Sequence, residues 1–187
     1  MGFESYKLNI MDDNEKQLKR AYELRDFEIS HYWKRAQYFW GFLAVIYTGF
    51  FLMLIQHHKD KSFPVEYVLI ICSVGCIFSL SWYFVNRGSK RWQNHWETVI
   101  NEFEAKLKIP LYAIENKEKT EFFNAGKFSV SKINIVVSFL VFISWIVLWF
   151  LTVCNNTENI LPPIFIGVST VISLLFIYVY GKSSRQS

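Results

Sequence analysis

Four long stretches of this chain contain almost no charge. Residues 36–55, 65–85, 133–153 and 161–180 contain no lysine or arginine, and Glu66 is the single acid among them. Each stretch reaches or nearly reaches the roughly 20 residues that a helix needs to cross a bilayer core. Proline is scarce as well. Pro64, Pro110, Pro162 and Pro163 lie outside these stretches or at the start of one, so none is broken in its interior. Cysteine is limited to Cys72, Cys76 and Cys154, which excludes a disulfide framework. Cys72 and Cys76 stand one helical turn apart in an apolar stretch. That placement points to a small-residue packing face rather than a metal or redox pair.

Catalytic and ligand-binding signals are equally sparse. A metal needs three or four converging ligands, and the His57-His58 pair has only Asp60 nearby. His95 and Glu97 are two residues apart, so on a helix they point in different directions and make a poor acid–base pair. Gly181-Lys182-Ser183 lacks the upstream glycine and the strand of a phosphate loop. Met1-Gly2 opens like a myristoylation site, but residue 6 is Tyr. Asn155-Asn156-Thr157 is an acceptor sequon only in a eukaryotic secretory pathway. No catalytic residue, cofactor or metal is expected. The absence of ionisable groups at membrane depth argues against a proton-coupled transporter.

What remains is an all-α membrane protein with four transmembrane helices in two hairpins and amphipathic cytosolic helices. Its expected divisions are a cytosolic N-terminal helix (1–35), a first transmembrane hairpin (36–85), a cytosolic helical segment (86–132), a second hairpin (133–180) and a cytosolic tail (181–187). Basic residues set the orientation. Seven precede residue 36, nine lie in the central segment and two in the tail, against two in the first hairpin loop and none in the second. Both termini should therefore be cytoplasmic. The net charge of +4 follows from this anchoring and does not call for nucleic acid.

Residues 1–11 read as a poorly ordered or short extended lead-in, and Asp12 or Asp13 as the N-cap of a helix. Leu18, Tyr22, Arg25, Ile29 and Trp33 then recur at helical spacing, and no proline or glycine interrupts residues 12–40. In the second span, Gly75, Cys76 and Ser79 form a small-residue face suited to close helix packing, within the chain or between copies. After it, Gly88 is expected to break or redirect the helix and Ser89 to cap a new one. Trp92, Trp96, Val99, Ile100, Phe103 and Leu107 then define an amphipathic face, opposite Gln93, Asn94, Glu97, Asn101, Glu104 and Lys108. That face is expected to pack on the N-terminal helix through Leu18, Tyr22 and Ile29. The alternative is that its tryptophans hold a ligand, a lipid headgroup or a partner helix. Pro110 follows, residues up to Thr120 read as a charged loop, and Glu121-Phe122-Phe123 is expected to dock back. Ser129 or Ser131 is a cap for the third span, and Pro162 and Pro163 open the fourth.

The run from Arg87 to Glu97 (Arg-Gly-Ser-Lys-Arg-Trp-Gln-Asn-His-Trp-Glu), the later Leu111-Tyr112, and the run from Phe128 to Asn134 (Phe-Ser-Val-Ser-Lys-Ile-Asn) resemble the RipA family of small octameric bacterial inner-membrane proteins. In layout the resemblance extends from Lys34 to Tyr180. It implies a bacterial cytoplasmic membrane, two helical hairpins and a ring-like homo-oligomer, up to an octamer, with a link to growth inside host cells. It implies no catalytic set. The expected function is thus a non-enzymatic homo-oligomer that scaffolds an unknown cytosolic partner or responds to membrane state. An ion-permeable or membrane-disrupting effector in stress or phage defence is the alternative, and envelope-lipid metabolism a weaker one. The residues expected to carry assembly are Arg87, Gly88, Ser89, Lys90, Trp92, Gln93, Trp96 and Glu97. Their roles would be interfacial anchoring, helix break and cap, and assembly of the cytosolic layer. The partners expected are the lipid bilayer and further copies of the chain.

Overall fold

The computed structural model of the protein describes residues 2–60, 62–109, 128–156 and 159–182, with side chains from residue 12 onward. Four helices account for nearly all of the described residues: α1 (Gly2–Lys59), α2 (Val65–Leu107), α3 (Val130–Asn156) and α4 (Leu161–Tyr180). All four contain stretches long and apolar enough to cross a membrane, and no strand occurs among the described residues. This is an all-α, multi-pass membrane protein.

Three sequence expectations change. α1 starts at Gly2, so residues 2–11 are helical and neither Asp12 nor Asp13 is an N-cap. Asp12 instead pairs with Lys16 one turn later at 2.7 Å. α2 runs through Gly88 and Ser89 without a break or a new cap. A single interior glycine costs a helix only about 1 kcal/mol, too little to end a ladder of this length. The helix stops later, at Leu107. There Lys108 takes a left-handed conformation (φ 57°), the Ile109 N–H bonds the Glu104 carbonyl at 3.0 Å, and the Lys108 N–H bonds the Ala105 carbonyl at 3.3 Å. This is a Schellman end with lysine where glycine is usual. The expectations at Pro110, Leu111-Tyr112, Thr120, Glu121-Phe122-Phe123 and Thr157 lie outside the described residues.

The chain divides into two compact units: Met1–Lys34 with Arg87–Ser129, and Arg35–Asn86 with Val130–Ser187. In the second, apolar unit the core is built from Ile46, Phe50, Val68, Cys72, Cys76 and Trp145. Trp145 is completely buried. It stacks on Tyr47 (centroids 4.2 Å apart) and meets Phe50 edge-on at 5.7 Å. Its indole lies directly over Gly75, where a methyl group would overlap the ring. Ser144 donates to the Val141 carbonyl at 2.7 Å, and the Tyr47 hydroxyl donates to Ser144 at 2.7 Å. A second polar contact joins α2 to α3. Asn134 Nδ2 donates to Asn86 Oδ1 at 3.4 Å, and Asn86 Nδ2 donates to Ser138 Oγ at 3.4 Å. Both asparagines are buried, so each meets the polar needs of the other where little water reaches.

The loop between α1 and α2 is short and tied to itself. Asp60 accepts from the Ser62 N–H at 2.9 Å and from its hydroxyl at 2.7 Å. These bonds hold the Asp60 carboxyl below its usual range. His57 Nδ1 contacts the Phe63 carbonyl at 2.8 Å. Pro162 and the buried Pro163 lie in the first turn of α4, where missing N–H groups cost least.

Two outcomes test this packing. Gly75→Val should displace Trp145 and lower the thermal midpoint of the detergent-solubilised protein, with a cost of about 1–3 kcal/mol for overpacking. Lys108→Gly should raise the same midpoint slightly, by relieving a left-handed residue worth roughly 1 kcal/mol.

Candidate functional site

The polar unit pairs the first part of α1 with the last part of α2. On α1, Leu18, Ala21, Arg25, Glu28 and Tyr32 are buried or half-buried, at alternating steps of three and four. On α2 the same rhythm selects Ser89, Gln93, Trp96, Ile100, Phe103 and Leu107. Two helices with matching three-four seams pack side by side as a coiled coil does. Much of this seam is polar. Ser89, Gln93 and Glu104 are buried beside Ile100, Ala21 and Tyr32. Glu104 is only 2% exposed, and the Tyr22 hydroxyl donates to its Oε1. A buried carboxylate without such a donor would cost several kcal/mol, so this contact fixes which turn of α1 faces which turn of α2.

The seam is rotated from the face expected from hydrophobicity. Gln93 and Glu104, assigned to the solvent side, point inward. Trp92, assigned to the packed side, is 42% exposed. It lies edge-on to His95 at 5.6 Å, and His95 in turn meets Trp96 at 5.1 Å. The physical reason is the strict three-four phase through Ser89, Trp96, Ile100 and Phe103. Position 93 continues that phase and position 92 does not. Tyr22 and Leu18 do face the pair, but Tyr22 meets a carboxylate rather than an indole.

Of the remaining predicted assembly residues, Arg87 and Gly88 are exposed, and Lys90 and Glu97 are half-buried. A side chain added at Gly88 would meet open space among the described residues, so none of them demands glycine there. The structure therefore brings Ser89, Gln93 and Trp96 together on one seam and leaves Arg87, Gly88 and Trp92 outside it. In the apolar unit, Ser79 is buried and donates to the Gly75 carbonyl at 2.6 Å, while Gly75 and Cys76 form part of the surface under Trp145. Two features escaped sequence reasoning: the inward Glu104 and the docking of Trp145 on Gly75. The first lies one residue off the three-four phase, beside Phe103, and its acidic side chain reads as a solvent position. The second joins residues far apart in sequence, and no local pattern marks it.

No group of three or more potential metal ligands occurs among the described residues. The arrangement offers helix-helix recognition. A family model agrees with that architecture. The model of the octameric membrane protein family (8xMP) matches residues 15–154. The chain belongs to that family. The 8xMP match takes in the seam portion of α1, all of α2 and nearly all of α3. The residues expected to carry assembly and the Gly75–Trp145 contact therefore lie within the matched region, whereas α4 lies beyond it. No curated protein and no solved structure matches this 8xMP member.

Within the seam, Tyr22→Phe and Glu104→Gln should each destabilise the protein. A double-mutant cycle on thermal or denaturant unfolding should return a coupling of about 1.5–3 kcal/mol, as expected for a hydrogen bond to a charged group. Trp92→Ala should stay within about 0.5 kcal/mol of the parent, while Trp96→Ala should exceed it.

Proposed function

We propose that the protein is a non-enzymatic homo-oligomer of the bacterial cytoplasmic membrane, assembled as an octamer. In this reading the seam residues Ser89, Gln93 and Trp96 order the polar unit. That unit faces the cytoplasm and presents a repeated surface to cytosolic partners, serving as a scaffold or a sensor of membrane state during growth in a host or under stress. The observation that carries the reading is membership in a family described as octameric membrane proteins. It is supported by a polar unit built for helix recognition and by the excess of basic residues beside it. Arg87 and Lys90 serve there as headgroup anchors.

Native mass spectrometry of the full chain in mild detergent tests the assembly. A species of eight copies is expected, and a clean monomer at working concentration overturns the proposal. Orientation has its own test. Cys154 is exposed near the α3–α4 loop, whereas Cys72 and Cys76 are buried. A membrane-impermeant maleimide should label intact spheroplasts, and Cys154→Ser should abolish the labelling. Labelling that needs lysis would reverse the topology.

A second reading, an ion-permeable effector, draws on the exposed hydroxyl side chains Thr48 and Ser169 within apolar spans. Both already donate to their own helix, at 2.8 Å to the Ala44 and Ile166 carbonyls. Dye-loaded liposomes that stay sealed with the protein inserted would remove this reading.

A further inference from the structure

The residues that the seam leaves outside are not scattered. Positions 87, 88, 91 and 92 share one face of α2, because residues three and four apart lie one above the other on a helix. Arg87, Gly88, Arg91 and Trp92 are all exposed. This face holds two guanidinium groups, a glycine and an indole, and no acid.

Its depth follows from the helix itself. α2 runs unbroken from Val65 to Leu107, and its apolar stretch ends at Val85. At 1.5 Å per residue, Arg87, Gly88 and Arg91 lie about 3, 5 and 9 Å beyond that end. The headgroup layer is roughly 5–7 Å thick on each side of the hydrocarbon core, so lipid phosphates stand near the level of Gly88. Side chains on a helix lean toward its N-terminus, and on this part of α2 that direction is back toward the bilayer. Arg91 and Trp92 therefore cover the turn that contains Gly88.

Gly88 is the second observation. Glycine costs a helix interior about 1 kcal/mol relative to alanine. A Cβ at this position would meet nothing within 4 Å, so no packing among the described residues accounts for that cost. What the glycine leaves is a notch flanked by Arg87, Arg91 and Trp92, where an outside group can approach the backbone closely. A phosphate suits it. Its charge complements the two guanidinium groups, which bond phosphate oxygens as a planar fork. The indole suits the boundary between headgroup and hydrocarbon. In phosphatidylethanolamine an ammonium group stands beside the phosphate and is repelled by arginine. Phosphatidylglycerol has no such group.

We propose that Arg87, Gly88, Arg91 and Trp92 form a site for the phosphate of an anionic membrane phospholipid. The site rests on the anchoring role given to Arg87 above, and adds to it a selectivity for lipid of net negative charge.

The test is native mass spectrometry of the full chain in mild detergent, titrated with phosphatidylglycerol or phosphatidylethanolamine of identical acyl chains. Phosphatidylglycerol should bind about tenfold more tightly, as two juxtamembrane charges imply. Arg91→Gln should weaken it by about fivefold, one such charge's worth. Gly88→Gln fills the notch at an open position and leaves the charge unchanged, and should weaken it by a similar factor. Lys34→Gln removes an exposed charge equally close to the first span and should leave it unaltered. Equal binding of the two lipids, with Arg87→Gln loosening both, would keep the anchoring role and overturn the selectivity. A preference for phosphatidylglycerol that survives Gly88→Gln, or that falls as far with Lys34→Gln as with Arg91→Gln, is diffuse attraction and overturns the site. Displacement of the lipid by soluble glycerol 3-phosphate would make the occupant a soluble phosphate and overturn the proposal as well.

Discussion

The contact of Trp145 with Gly75 is the constraint on which the apolar unit rests. A bilayer supplies little hydrophobic drive between helices, because lipid is as apolar as a leucine side chain. Helices there hold together by fit. Trp145 provides the fit by laying an indole flat on a helix that offers no side chain at the point of contact. Tyr47 stacks on its other side and Phe50 closes an edge, so one residue of α3 meets both helices of the first hairpin. The Tyr47–Ser144 bond and the Asn86–Asn134 pair then set rotation and depth.

The polar unit is held by a different logic. Its seam has the rhythm of a coiled coil but carries Ser89, Gln93 and Glu104 where apolar residues would bind more strongly. Buried polar positions of this kind trade strength for register. Tyr22 and Glu104 can meet at only one alignment of α1 with α2. An alignment shifted by a turn would strand a carboxylate among hydrocarbon, which is far more costly than losing a van der Waals contact.

Much of this architecture was visible in the sequence, because the bilayer imposes a length and a polarity that composition reports directly. The four spans, the helical class and the prolines that open α4 needed no tertiary information. Helix ends were harder. Gly88 looked like a break because glycine is a weak helix former, yet one weak residue cannot stop a ladder supported on both sides. Lys108 ends α2 in a conformation its side chain does not favour, so nothing in residue type foretold it. Trp92 and Gln93 were exchanged between inner and outer faces because hydrophobicity was weighed above phase. Contacts such as Gly75 with Trp145 depend on which spans become neighbours, and that is a property of the assembled hairpins.

The polar seam also bears on how the chain is made. Tyr22 and Glu104 are separated by 82 positions. At typical synthesis rates of about 5–20 residues per second, the first part of α1 waits on the order of ten seconds for its partner to leave the ribosome. An apolar stripe exposed for that time would invite capture by the membrane or by neighbouring nascent chains. A stripe carrying Arg25 and Glu28 among its contacts stays soluble while it waits, and becomes adhesive only when the matching serine, glutamine and glutamate arrive.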